Sequence, residues 1–232
     1  MTIHYEELTL DKTAEVVARP TSPDITKPVP FWAYRRMGKR TFDLTAVLLF
    51  LPFAALIIGG LAACIALLGG APFYTQERVG RGGTTYRIWK LRTMVQDADR
   101  RLEEHLRTDP AAKQEWDHTQ KLRNDPRITP IGRFLRASSM DELPQLWNVL
   151  RGDMSLIGPR PMMPSQVTLY PGTAYYQLRP GISGSWQVSA RNESSFAERA
   201  VFDTSYDHKV SLSEDMRIFV ATIRVVLRAT GH

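Results

Sequence analysis

Residues 44–68 read LTAVLLFLPFAALIIGGLAACIALL, about 25 residues without a charge. At about 1.5 Å per residue such a helix is long enough to cross a hydrocarbon core of about 30 Å. Arg35, Arg36, Lys39 and Arg40 precede the segment, and Arg78, Arg81, Arg87, Lys90 and Arg92 follow it. Lys and Arg favour the cytoplasmic side of a bilayer, so both flanks ask for the same side. Pro52 and the pair Gly59-Gly60 interrupt the run. Proline removes a backbone donor and clashes with the preceding turn. A helix broken there, with both ends on one face, is re-entrant; a spanning helix with a tolerated kink accounts for the same residues. The run begins more than forty residues into the chain, late for a cleavable signal peptide, and reads as a retained anchor.

The remaining composition narrows the partners. A length of 232 residues suits one domain with appendages, and a net charge of +6 suits anionic partners. Nucleic acid, anionic lipid and phosphorylated small molecules all qualify. No zinc finger, RNA-binding signature or long basic run points to nucleic acid, whereas the apolar segment points to membrane lipid. Cys64 is the single cysteine, so no intramolecular disulfide forms, and the five histidines have no metal-ligand spacing.

Outward from the anchor, Phe73–Val79 and Thr84–Leu91 surround Gly80, Gly82 and Gly83, which predicts a β-hairpin. The glycines match no standard phosphate loop. Val95, Ala98, Leu102 and Leu106 predict a helix over 95–107, stopped by Asp109-Pro110, with a second over 111–122. Ser139 followed by Glu142 predicts a capping box opening a helix that runs to Leu150 and stops at Gly152. A short strand over Met154–Ile157 then leads into Gly158-Pro159-Arg160-Pro161. Ser211 and Glu214 start a C-terminal helix with Arg217, Arg224 and Arg228 on one face and Met216, Ile218, Phe219, Val220, Ile223, Val226 and Leu227 filling much of the rest. Such a helix suits a membrane interface or a core position with its polar stripe in water.

Asp141 and Glu142 are adjacent carboxylates at a helix start. Acids there complement the helix dipole without further role. The alternative is a phosphoryl-transfer site at the helix end, with Arg136 and Arg160 as phosphate ligands. Prolines on both sides of Arg160 fix its direction. A carboxylate can act as a covalent nucleophile toward phosphorus, with Mg²⁺ neutralising the leaving group.

The run from Asp141 to Pro161 (DELPQLWNVLRGDMSLIGPRP) resembles the bacterial sugar transferases, the monotopic phosphoglycosyl transferases. The likeness extends to Gln76–Gly80, Asp125–Thr129, Gly132–Arg136 and Leu178–Gly184, and covers the chain from about Lys39 onward. The resemblance implies an inner-membrane enzyme with its active site on the cytoplasmic face. It implies transfer of a sugar 1-phosphate from a UDP-sugar to undecaprenyl phosphate, with release of UMP and a requirement for Mg²⁺. By the same resemblance Asp141 is the nucleophile, Glu142 its base or magnesium partner, and Arg136 and Arg160 lie near phosphates.

Two departures stand out. Leu51 precedes Pro52 where many members have serine, and Ser183-Gly184-Ser185-Trp186-Gln187-Val188 replaces the common Thr-Gly-Trp-Ala-Gln-Val. The second variant resembles exopolysaccharide-initiating members of the succinoglycan type, which implies UDP-galactose or UDP-glucose as donor. The absence of a long multi-spanning region resembles the small catalytic form.

The expected fold is α+β and helix-rich: a compact catalytic domain with one N-terminal re-entrant membrane helix and interfacial amphipathic helices. Residues 1–30 form a flexible tail, 31–72 the anchor and 73–232 the catalytic domain. Arg78, Gln145, Arg179 and Gln187 are nucleotide-binding candidates; Asp141 and Glu142 are the expected Mg²⁺ ligands. Homo-oligomer formation is left open, and a non-catalytic basic membrane adaptor is the rival function.

Overall fold

The computed structural model describes residues 33–119, 122, 124–189 and 195–227. The expected tail over 1–30 and the side chain of Arg228 lie outside the described residues. The fold is α+β and dominated by helices, with two small two-stranded sheets among the described residues.

A π-helical turn, Tyr34–Gly38, leads into α1, Lys39–Leu67. At 29 residues α1 is about 43 Å long, and Pro52 lies inside it. Along α1, Val47, Ala54 and Ile65 are buried, and Leu51, Ile58, Leu61 and Ala62 are half-buried. Steps of three and four residues put these on one face. That face meets the rest of the protein at two places. Val47 packs with Ile88, Val149 and Met154; Ile65 packs with Leu91 and Leu135. Leu48, Leu49, Phe50, Phe53, Leu56 and Leu67 are exposed on the remaining surface.

The basic flank before α1 has a structural use that its sequence does not announce. Lys39 Nζ lies 2.7 Å from the buried Asp215 carboxylate, which also accepts from the hydroxyls of Tyr34 and Tyr206. Arg35 pairs with Asp207, and the Arg40 guanidinium donates to the carbonyls of Val149 and Leu150. Of the four flanking cations read as a topology signal, these three are committed to the folded body.

Strands β1, Phe73–Val79, and β2, Thr85–Leu91, form the predicted antiparallel hairpin, with Phe73 opposite Leu91 and Val79 opposite Thr85. Gly82 and Gly83 turn the chain at φ 71° and 81°, a region that favours glycine. Helices α2, Ala98–Thr108, and α3, Pro110–Thr119, follow as expected. Asp109 Oδ1 accepts from the amides of Ala111 and Ala112, so Asp109-Pro110 ends one helix and caps the next.

Helix α4, Pro130–Ala137, is not assigned by the motif reading, although Thr129 Oγ1 caps Gly132 N at 3.0 Å and Pro130 opens its first turn. The predicted capping box after it is not formed. Ser139 sits in the left-handed region at φ 56°, without a side-chain cap bond. Ser138 Oγ instead bonds back to the Phe134 carbonyl at 2.8 Å. A 3₁₀ turn, Met140–Glu142, precedes α5, Gln145–Arg151. Pro144 gives the physical reason: it has no N–H to offer Met140, and its ring clashes with that carbonyl in a continuous helix. Gly152, at φ 91°, ends α5 as expected.

Strand β3, Ser155–Ile157, pairs in parallel with β4, Gly181–Ser183; α6, Ala174–Gln177, lies between them. A Cβ on Gly158 would stand 2.3 Å from the Arg179 carbonyl, so this crossing admits glycine only. Helices α7, Ser185–Ser189, α8, Arg199–Lys209, and α9, Leu212–Leu227, complete the described chain. Ser211 Oγ caps Glu214 N at 3.2 Å, as the sequence predicts. Asp215 and Ile218 of α9 face the core, while Leu212, Met216, Val220, Ile223 and Val226 form an exposed apolar stripe. The core position expected for this helix holds on the Asp215 and Ile218 face.

Candidate active site

Asp141 stands on the 3₁₀ turn between α4 and α5 and is only 8% exposed. Lys90, near the end of β2, places its Nζ 2.7 Å from Glu142 Oε1 and 3.8 Å from Asp141 Oδ2. Burial pushes the Asp141 carboxyl above its ordinary range, Lys90 and Arg136 pull it down, and Glu142 pushes it up. The result is a desolvated carboxylate whose charge depends on two neighbouring cations.

Each of these groups has a positional support. Asn148 of α5 accepts from Trp89 N at 3.0 Å and donates to the Arg87 carbonyl at 2.8 Å and to Asp153 Oδ2 at 3.2 Å. A fully buried amide thus pins β2, and with it Lys90, to the helix that follows Asp141. Arg136 Nε donates to Thr93 Oγ1 at 3.0 Å, just beyond β2. Its charge interacts with those of Asp141 and Asp125. Asp125 is gripped by both nitrogens of the Arg127 fork, at 2.8 and 2.7 Å. Arg127 also lies over the Trp116 ring at 5.2 Å. Lys90 enters the sequence reading only as a flanking charge, and Asn148 only within the motif. No local pattern marks either as a neighbour of the other.

Arg160 belongs to a second group. Its charge acts on Arg78 of β1 and on Arg199 of α8. Arg78 also donates to Gln76 Oε1 at 2.6 Å. The other nucleotide candidates are dispersed. Gln145 is buried at the start of α5. Arg179 Nε donates to the Gly152 carbonyl at 2.9 Å, and its charge is felt with those of Arg81 and Arg40. Gln187 Nε2 donates to the Ile182 carbonyl at 2.9 Å, while its Oε1 is buried without a partner among the described residues. The structure therefore joins Asp141, Glu142 and Arg136 in one place, and Arg78 with Arg160 in another.

Among the described residues no group of three or more His, Cys, Asp and Glu side chains forms a protein-only metal cage. The adjacent Asp141 and Glu142 carboxylates nonetheless fit Mg²⁺, which is commonly held by one or two carboxylates with water and substrate phosphates supplying the rest.

Known proteins resemble this chain over most of its length. The family described as bacterial sugar transferase matches residues 34–229. A UDP-galactose-lipid carrier transferase of Erwinia amylovora is 50% identical over 202 residues, covering 84% of this chain and 42% of that protein. The exopolysaccharide production protein ExoY of Rhizobium meliloti is 44% identical over 84% of this chain and 88% of its own length. An undecaprenyl-phosphate galactose phosphotransferase of Salmonella typhimurium is 43% identical, over 84% of this chain and 42% of the relative. The chain thus spans less than half of the Erwinia and Salmonella proteins and most of the Rhizobium one.

Proposed function

The chain belongs to the bacterial sugar transferase family, and from that premise we propose that it transfers a hexose 1-phosphate from a UDP-sugar to undecaprenyl phosphate. UDP-galactose or UDP-glucose is the donor, and the product initiates exopolysaccharide synthesis. The observation that carries this reading is the buried Asp141 carboxylate facing Lys90 and acted on by Arg136.

An Asp141 oxygen attacks the β-phosphorus of the UDP-sugar, and the bond from that phosphorus to the bridging oxygen breaks, releasing UMP. A phosphate oxygen of undecaprenyl phosphate then attacks the same phosphorus. The bond to Asp141 breaks, and the carboxylate is regenerated. Lys90 keeps Glu142 and Asp141 from repelling one another, and Arg136 supplies positive charge beside the reacting phosphoryl group. Asp141 and Glu142 would hold Mg²⁺, whose chemistry there is to neutralise diphosphate charge and ease departure of UMP.

The reading places α1 in the bacterial inner membrane as a re-entrant helix, with the body on the cytoplasmic face. Val47 and Ile65, far apart on α1, both pack on the same folded body, which supports a one-sided position, although α1 runs on through Pro52 without the break expected there. The exposed stripe of α9 supports an interfacial position for that helix.

The test is UMP release by purified protein with undecaprenyl phosphate, Mg²⁺ and a panel of UDP-sugars, with Asp141→Asn alongside. Release with one sugar, abolished in the variant, and ping-pong kinetics are expected. Full activity of Asp141→Asn would overturn the nucleophile assignment.

A further inference from the structure

Arg160 is held through its main chain as well as by its prolines. Arg199 Nη2 donates to the Arg160 carbonyl oxygen, tying α8 to the loop that follows β3. Arg199 is 5% exposed, and its guanidinium lies over the rings of Trp186 at 5.0 Å and Phe196 at 4.6 Å. Asp203, one turn further along α8, acts on its charge and accepts from the Tyr170 hydroxyl at 2.9 Å. The far end of the loop is also fixed. The Tyr175 hydroxyl accepts from Met162 N and donates to the Val79 carbonyl, while Val79 N donates to the Met162 carbonyl at 3.0 Å. Residues 160–162 are thereby clamped against the end of β1, the strand that carries Arg78.

Arg160 repels both Arg78 and Arg199. Of the three, Arg199 has its charge dispersed over two rings and opposed by Asp203. Arg78 and Arg160 form no ion pair with a carboxylate among the described residues, an arrangement suited to a multiply charged anion.

We infer that Arg199 is a positioning residue: by gripping the Arg160 main chain it makes Arg160 and Arg78 converge on the nucleotide diphosphate, without itself touching that anion. This rests on the UDP-sugar reading above. Burial of Arg199 between two rings leaves its long side chain to act as a strut, and its effect on binding passes through Arg160.

A double-mutant cycle tests it. UDP binding is measured by calorimetry on the full chain in lipid nanodiscs for wild type, Arg160→Ala, Arg199→Met and the pair, with thermal unfolding as the folding control. Each single change is expected to weaken UDP binding about tenfold, and the pair to bind no worse than Arg160→Ala within about twofold. In turnover, Arg199→Met is expected to raise KM for the UDP-sugar and leave KM for undecaprenyl phosphate unchanged. A pair weaker by the product of the two single losses overturns the inference in favour of an independent contact, as does wild-type affinity in Arg199→Met. If Arg199→Met does not fold, the cycle is run with Arg199→Lys, which keeps the charge and loosens the bond. A smaller loss, absent on the Arg160→Ala background, is then expected, and one that persists there overturns the inference. Wild-type protein that neither binds UDP nor releases UMP overturns the donor reading and this inference together; UDP binding with an unaffected Arg199 variant overturns the inference alone.

Discussion

Lys90 Nζ lies 3.8 Å from Asp141 Oδ2 while bonding Glu142 at 2.7 Å, so one hairpin cation serves two adjacent carboxylates. Two carboxylates this close raise each other's proton affinity, and a shared cation opposes that effect. The pair is mostly shielded from solvent, so the opposition is weakened only in part by screening.

Lys90→Met removes that opposition. Asp141, already held above the ordinary carboxylate range by burial, moves higher still. In the proposed mechanism Asp141 attacks in its ionised form, so activity is lost as pH falls through its folded pKa. The acidic limb of the kcat/KM profile is therefore expected to shift to higher pH in the variant, with a loss of at least about tenfold at neutral pH. An unchanged profile would remove Lys90 from the site.

Asp203 makes a separate prediction about stability. Burial raises its pKa from 3.8 to about 6. The folded protein then binds a proton more tightly than the unfolded chain, so this group's contribution is fully present below about pH 4 and is lost as pH rises through about 6. Relative to wild type, Asp203→Asn is expected to flatten the pH dependence of the unfolding midpoint between pH 4 and 6. Parallel curves for the two proteins would show that Asp203 titrates normally.

The Lys39–Asp215 pair fastens α1 to α9, and Asp215 is fully buried. Lys39→Met strands that charge with two tyrosine donors, an expected cost of about 3–5 kcal/mol. Adding Asp215→Asn should recover part of the loss, since the stranded charge disappears with it. Chemical denaturation of the two variants decides the matter; equal stability of Lys39→Met and wild type would mean that the pair contributes nothing.

Topology is tested with cysteines at exposed Arg36 and Ala71, on either side of α1, in a chain whose Cys64 is changed to Ala. Both are expected to react with an impermeant thiol reagent only from the cytoplasmic side. Labelling from opposite sides would establish a spanning helix instead.

Much of this was readable along the chain because it depends on neighbours in sequence. The apolar run of α1, the hairpin with its glycine turn, the Asp109-Pro110 boundary and the Gly152 stop all arise from local sterics and caps. Thr129-Pro130 carries an equally local start signal for α4, with Thr129 Oγ1 capping Gly132 N and Pro130 in the first turn. At Ser139 the local signal misleads. A serine three residues before a glutamate suits a capping box, but Pro144 interrupts the helix that the box would open, and Ser139 adopts a left-handed conformation.

The sequence by itself determined the long apolar helix, the helix-rich α+β character, the acidic pair and the proline-framed Arg160. Tertiary structure alone decided which charges meet. Lys90 faces Asp141 because Asn148 fastens β2 to α5, Arg199 grips Arg160 because α8 packs beside the loop after β3, and Lys39 is spent on Asp215. Periodicity and capping act over a few residues, whereas these partners are brought together by closure of the whole core, which leaves no mark at either residue.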